Sequence, residues 1–123
     1  MPEDFIRMAE RMDVFMVEEA GQSVGFFSLR RVDAKTAEIP LLYLDRTAQG
    51  RGIGEPCVRF VEARIVREWP SVDTLFVDTV VPGVNAEFYK KMGFVDSHSV
   101  LCRFPELSLA ALRLTKKIAH VVP

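Results

Sequence analysis

Hydrophobic positions along the chain switch between a helical and a strand period. Residues 3–12 put Phe5, Ile6, Met8, Ala9 and Met12 mostly on one helical face, with Glu3, Arg7, Glu10 and Arg11 elsewhere, which predicts a short peripheral amphipathic helix. Val14–Val17 and Val24–Arg30 read as strands, and the acidic, Gly-containing link Glu19–Gln22 predicts that they form an antiparallel hairpin. Ala37–Asp45 carries Ile39, Leu41, Leu42, Tyr43 and Leu44. So continuous an apolar stretch predicts a strand buried on both faces at the centre of the sheet. Pro40 lacks the N–H that a ladder needs, so a bulge or an unpaired position is expected inside that strand.

From Gly52 to about Trp69 the period becomes helical, with Ile53, Cys57, Phe60, Val61, Ile65 and Trp69 on one stripe. Pro56 is tolerated only in a first turn, so this helix must begin a few residues before it, and Pro70 ends it. Thr74–Val81 follows as a strand, Asn85–Met92 as a short helix, and Gly93 takes the position of a left-handed cap. Phe94–Phe104 and Ala110–Lys117 read as two last strands, the second with Leu112 and Leu114 inward, and Phe104-Pro105-Glu106 marks the turn between them. No repeat and no linker interrupts the series. The predicted fold class is mixed α/β, a twisted, mostly antiparallel sheet flanked by helices.

Composition narrows the function classes. The 123 residues suit one domain spanning 1–123, and 49% hydrophobic with 27% charged residues is the balance of a globular protein. Sixteen Lys and Arg against seventeen Asp and Glu give a net charge of −1, with no cationic excess to neutralise a nucleic acid or an anionic membrane. Neither partner is expected. Cys57 and Cys102 form no C-x-x-C pair, and His98 and His120 have no second ligand at metal spacing, so no metal and no disulfide framework is expected. The N-terminus opens on acidic Glu3 and Asp4, and no apolar run approaches the roughly 18 to 20 residues of a membrane span, so a cytoplasmic location is expected.

The most informative segment is Gln49-Gly50-Arg51-Gly52-Ile53-Gly54, between the apolar strand and the long helix. Its glycines let the backbone approach a ligand at positive φ, and the helix start turns unpaired N–H groups and its positive dipole end outward. That combination is an anion cradle. Its G-x-G-x-G spacing is not the G-x-G-x-x-G of a dinucleotide fingerprint, and it lacks the G-K-[ST] ending of a P-loop, which disfavours NAD and ATP.

With its flanks, Leu41 to Gly54 resembles the acetyl-CoA signature of the GCN5-related N-acetyltransferases, Q/R-x-x-G-x-G/A after a central strand. Phe88-Tyr89-Lys90-Lys91-Met92-Gly93-Phe94 resembles that family's second block, and Leu112 to Lys117 its last strand. The resemblance runs from about residue 13 to the end. It implies an N-acetyltransferase that moves the acetyl group of acetyl-CoA to an amine by direct attack, with CoA as cosubstrate. It implies that backbone N–H groups of Gly50 to Gly54, with Gln49 and Ile53 in the same turn, hold the CoA pyrophosphate. The backbone of Leu42, Tyr43 and Leu44 would pair with the pantetheine arm, a backbone N–H near Leu44 would hold the oxyanion, and Tyr89 would protonate the departing thiolate. A phenol suits that task because a thiolate is a leaving group of comparable basicity.

Other positions stay open. Where the family often has Asn seven residues and Ala four residues before the tyrosine, this chain has Pro82 and Asn85; Asn85 either replaces the asparagine contact to CoA or caps the helix. Glu38 is the best-placed carboxylate for a general base, and the alternative is a solvated strand-end charge. Asp78 either lines the pocket or faces water. Arg51, inside the turn, is favoured over Arg46 to meet CoA phosphates, against the alternative of a surface arginine. Only 48 residues precede Gln49, fewer than the family commonly has before its signature, so either a homodimer completes the acceptor wall or the acceptor is a large exposed amine. A non-catalytic CoA-binding module is the alternative function.

Overall fold

The computed structural model describes residues 12–80, 85–104 and 107–120. The helix expected over 3–12 therefore lies outside the described residues except for Met12, as do Pro82 and the Pro105-Glu106 turn. Strand β1 (Asp13–Glu19) pairs antiparallel with β2 (Gln22–Arg31) through Glu19↔Gln22, which leaves Ala20 and Gly21 as a two-residue turn. Their φ angles of 53° and 80° are what a primed hairpin turn requires.

The strand expected over 37–45 is corrected to two short ones, β3 (Thr36–Glu38) and β4 (Leu42–Leu44). The break is a bulge. Along β2, Arg30 faces Glu38 and Phe27 faces Leu42, so the two residues between 27 and 30 oppose three, Ile39, Pro40 and Leu41. Pro40 supplies the position without an N–H. The buried Ser28 repairs the ladder around it: its amide donates to the Leu41 carbonyl at 2.9 Å, and its hydroxyl accepts the Leu41 amide at 3.0 Å.

The bulge also changes what each half can pair with. β3 is the centre of the sheet, antiparallel to β2 and parallel to β5 (Thr74–Val80), whereas β4, among the described residues, pairs with β2 alone. Burial of the whole apolar run is likewise corrected, since Tyr43 is 52% exposed. The sheet runs β1-β2-β3-β5-β7-β6, closed by β6 (Val95–Phe104) and β7 (Leu107–Lys117). Among the described residues its only parallel pair is β3 with β5.

Helix α1 (Gly54–Glu68) begins two residues before Pro56, as that proline demands, and ends at Trp69 before Pro70. Its Cys57, Val58, Val61 and Ile65 pack on Phe27 and Leu29 of β2, Leu75 and Val77 of β5, and Leu114 of β7. Complete burial of one such aliphatic side chain contributes about 1.5–3 kcal/mol, so this layer dominates the core. Phe60, expected on that stripe, is 44% exposed, yet its ring meets Phe15 at 5.0 Å and Phe27 at 5.8 Å. Helix α2 (Asn85–Lys91) stops as expected at Gly93, whose φ of 96° is the left-handed cap.

Candidate functional site

The cleft follows from the direction of backbone groups on β4 and β5. In the β2–β4 ladder, Asp45 N donates to Val24 O and Ser28 N to Leu41 O, so Phe26 and Tyr43, midway between, form a hydrogen-bonded pair. Leu42 and Leu44 alternate with these positions, and their N–H and C=O groups point away from β2. On the facing strand, Ile39 N donates to Phe76 O at 3.1 Å, the last bond before the strands part. Two residues on, Asp78 turns its N–H and C=O in the same direction. Among the described residues, the Leu42 and Leu44 amides and the Asp78 backbone have no backbone partner.

The end of this opening is shut by a 3-10 turn, Arg46–Ala48, and the glycine segment. Gln49 Nε2 donates to the Leu44 carbonyl at 3.0 Å, tying the segment to β4. Gly50 and Gly52 have φ of 73° and 76°, conformations that L side chains rarely adopt, with open space where a Cβ would stand. Helix α1 then starts without a side-chain cap, since Ile53 occupies the N-cap position. Among the described residues no backbone acceptor pairs with the amides of Gly50, Arg51, Gly52, Ile53 or Gly54. These unpaired donors, added to the positive end of a 15-residue helix, fit a diphosphate without using any cationic side chain.

Gly54 has a packing role: a Cβ there would lie 2.9 Å from Phe88 Cζ, so glycine lets α2 close on the start of α1. The resulting cleft of about 460 Å³ is lined by Leu42, Tyr43 and Leu44 on one side, Phe88 and Tyr89 on another, and the glycine turn at its end. Gly25 serves the same geometry from behind, since a Cβ on it would stand 2.2 Å from the Tyr43 carbonyl oxygen.

Tyr89 is 6% exposed and borders the cleft, its ring packed edge-on against Phe88 at 5.0 Å and Phe94 at 5.4 Å. Burial pushes its phenol up to about 12, and the neighbouring Cys57 thiol adds to the rise. Its hydroxyl has no hydrogen-bond partner among the described residues and is protonated at neutral pH. Cys57, which donates to Ile53 O at 3.3 Å, is itself raised by burial.

Of the residues expected from sequence, Leu42, Tyr43, Leu44, Gln49, Gly50, Gly52, Ile53, Gly54 and Tyr89 meet at this cleft. Arg51 does not line it; its guanidinium is held by both oxygens of Glu19, at 2.7 and 2.9 Å. Glu38 also stands apart, its 13% exposed side chain bound to Arg30 Nε at 3.1 Å and Nη2 at 2.6 Å. Asn85 opens α2. Asp78, which sequence left between two settings, forms a two-pronged pair with Arg113 at 2.8 and 3.0 Å across the β5–β7 ladder, and the Arg113 guanidinium lies 4.0 Å from the centre of the Phe76 ring. Sequence reading assigned no role to Ser28, Gly25 or Phe88. Gly25 carried a signal, because a glycine inside a strand marks a close backbone approach, and Phe88 opens the segment that resembles the family's second block.

Among the described residues no group of three or more His, Cys, Asp and Glu could hold a metal ion, and no helix is long and apolar enough to cross a membrane. Comparison with curated proteins finds no match. Among solved structures, the fold is similar to a GNAT family acetyltransferase from Elizabethkingia anophelis with acetyl-CoA bound, at TM-score 0.78 and 16% identity over 94% of this chain and 83% of that one. It is equally similar to a Bacillus subtilis acetyltransferase in complex with CoA, at TM-score 0.78 and 16% identity over 95% and 84%. The ribosomal-protein-S18-alanine N-acetyltransferase from Escherichia coli follows at TM-score 0.74 and 17% identity over 99% and 80%. A model of the acetyltransferase (GNAT) domain matches residues 10–96, and with that match the chain belongs to the GNAT acetyltransferase family.

Proposed function

We propose that the protein is an acetyl-CoA-dependent N-acetyltransferase acting by direct attack of an amine on the thioester. The observation that carries this is the conjunction, in one cleft, of unpaired amides at Gly50–Gly54, free strand-edge amides at Leu42 and Leu44, and the buried phenol of Tyr89. Acetyl-CoA supplies the activated acyl group. The turn amides bind the diphosphate, the β4 edge aligns the arm as an added strand would, and the Leu44 N–H faces the oxygen that gains charge. Tyr89 donates its proton to the leaving sulfur. A phenol near 12 is a weak acid against a thiol in water, but the dry wall that raises Tyr89 also raises Cys57, and it raises a departing thiol in the same way. Deprotonation of the amine falls to solvent, because Glu38 is engaged by Arg30 outside the cleft lining.

The test is release of free CoA thiol from acetyl-CoA across free amino acids, polyamines and short peptides with free N-termini. Amine-dependent release is expected with at least one class. The engaged Glu38 favours one second reading, a CoA-binding module without turnover, which a thermal shift with CoA and no thiol release from any amine would select. No calorimetric binding of CoA would overturn both.

A further inference from the structure

Among the described residues no group hydrogen-bonds the Tyr89 hydroxyl, so its place depends on ring packing and on the turn that ends α2. That turn is bound tightly. The Tyr89 carbonyl accepts the amides of Met92 at 3.0 Å and Phe94 at 3.1 Å, and the Lys90 carbonyl accepts that of Gly93 at 3.0 Å. The Met92 carbonyl is taken by a side chain from the sheet: Lys116 Nζ, on β7, donates to it at 2.7 Å. The same ammonium lies 2.5 Å from Glu62 Oε1 on α1, an ion pair without hydrogen-bond alignment, and both side chains are mostly buried. The Lys116 stem passes under Gly93, where a Cβ would stand 3.2 Å from Lys116 Cε.

One cation thus ties α1, β7 and the end of α2 together. A lysine is suited to this place because the last carbonyls of a helix lack partners and carry its negative dipole end. We propose that Lys116 is a positioning residue for Tyr89, fixing the α2 turn against α1 so that the phenol stays at the cleft. The assignment rests on Tyr89 as proton donor for its catalytic consequence, and on packing alone for its structural one. Displacement of a reacting group by about 1 Å costs on the order of a hundredfold in rate, so a loosened turn shows in turnover before it shows in cofactor binding.

The experiment uses Lys116→Met/Glu62→Gln, which removes both charges together, beside Lys116→Arg, Glu62→Gln and Tyr89→Phe. Nitration of tyrosine by tetranitromethane at pH 8, read by peptide mass, reports Tyr89 against the half-exposed Tyr43, the only other tyrosine. In the double variant Tyr89 nitration should rise at least about fivefold relative to Tyr43, and kcat should fall roughly tenfold with KM for acetyl-CoA within about twofold. Lys116→Arg, which keeps a cation, should stay near the parent in both. Glu62→Gln keeps the Met92 bond and should give the smaller effect. Unchanged Tyr89 nitration and kcat in the double variant, or in Glu62→Gln and Lys116→Met separately where the double variant does not fold, overturns the proposal even if melting falls. Full turnover of Tyr89→Phe removes instead the proton-donor role, and the nitration result still decides the positioning one.

Discussion

Gln49 and Leu44 are joined by a single hydrogen bond, Nε2 to carbonyl oxygen at 3.0 Å, and it couples the glycine turn to the strand edge. Leu44 thereby has its carbonyl occupied while its amide stays open to the cleft. Gln49→Ala should leave stability nearly unchanged, because the bond is exposed. It should weaken CoA binding by roughly five- to tenfold, the worth of about 1 kcal/mol, by calorimetry.

The glycines should rank by what a methyl group would strike. Gly25→Ala places a Cβ 2.2 Å from the Tyr43 backbone oxygen, where nothing flexible can give way, and should cost more than about 3 kcal/mol in urea unfolding. Gly54→Ala meets the tip of Phe88 at 2.9 Å, a side chain that can shift, and should cost about 1–3 kcal/mol and alter the cleft. Gly50→Ala meets nothing, so only its φ of 73° is penalised, by roughly 1–2 kcal/mol.

Tyr89→Phe should abolish most turnover, a loss on the order of a hundred- to ten-thousandfold, with CoA affinity retained. The same variant has a pH signature. A phenol raised from 10.0 to about 12 binds more protons folded than unfolded between those values. Stability is full below about pH 10 and falls as pH climbs through 12, by roughly 2 to 3 kcal/mol from this group. Tyr89→Phe should flatten that alkaline slope in unfolding measured from pH 9 to 12.

The two arginine pairs should differ in weight. Arg113→Met leaves the mostly buried carboxylate of Asp78 without its two-pronged partner and should cost about 2–3 kcal/mol. Arg51→Ala breaks a pair whose side chains are 52% and 41% exposed, and should cost under about 1 kcal/mol in the same assay.

Most of the architecture was legible because its elements are coded locally. Pro56 set where α1 begins, Gly93 where α2 ends, and Pro40 where the ladder fails. The turn at Gly50 and Gly52 was legible because positive φ and an uncapped helix start are properties of neighbours in sequence. What was hidden depends on residues far apart in the chain. Whether Glu38 is available turns on Arg30 across a strand, and whether Arg51 reaches the cleft turns on Glu19, 32 residues away. Ser28 completes the bulge with a hydroxyl that looks like any other in a strand.

One residue of excess at Pro40 gives this sheet an inner margin beside the outer ones at β1 and β6 of the described strands. An outer margin invites any passing chain, but this one is fenced by α1, α2 and the glycine turn. Under the proposed function, a guest that pairs with this margin would be one chain wide and carry amide-like groups at a strand's spacing, so the backbone would screen it before any side chain does.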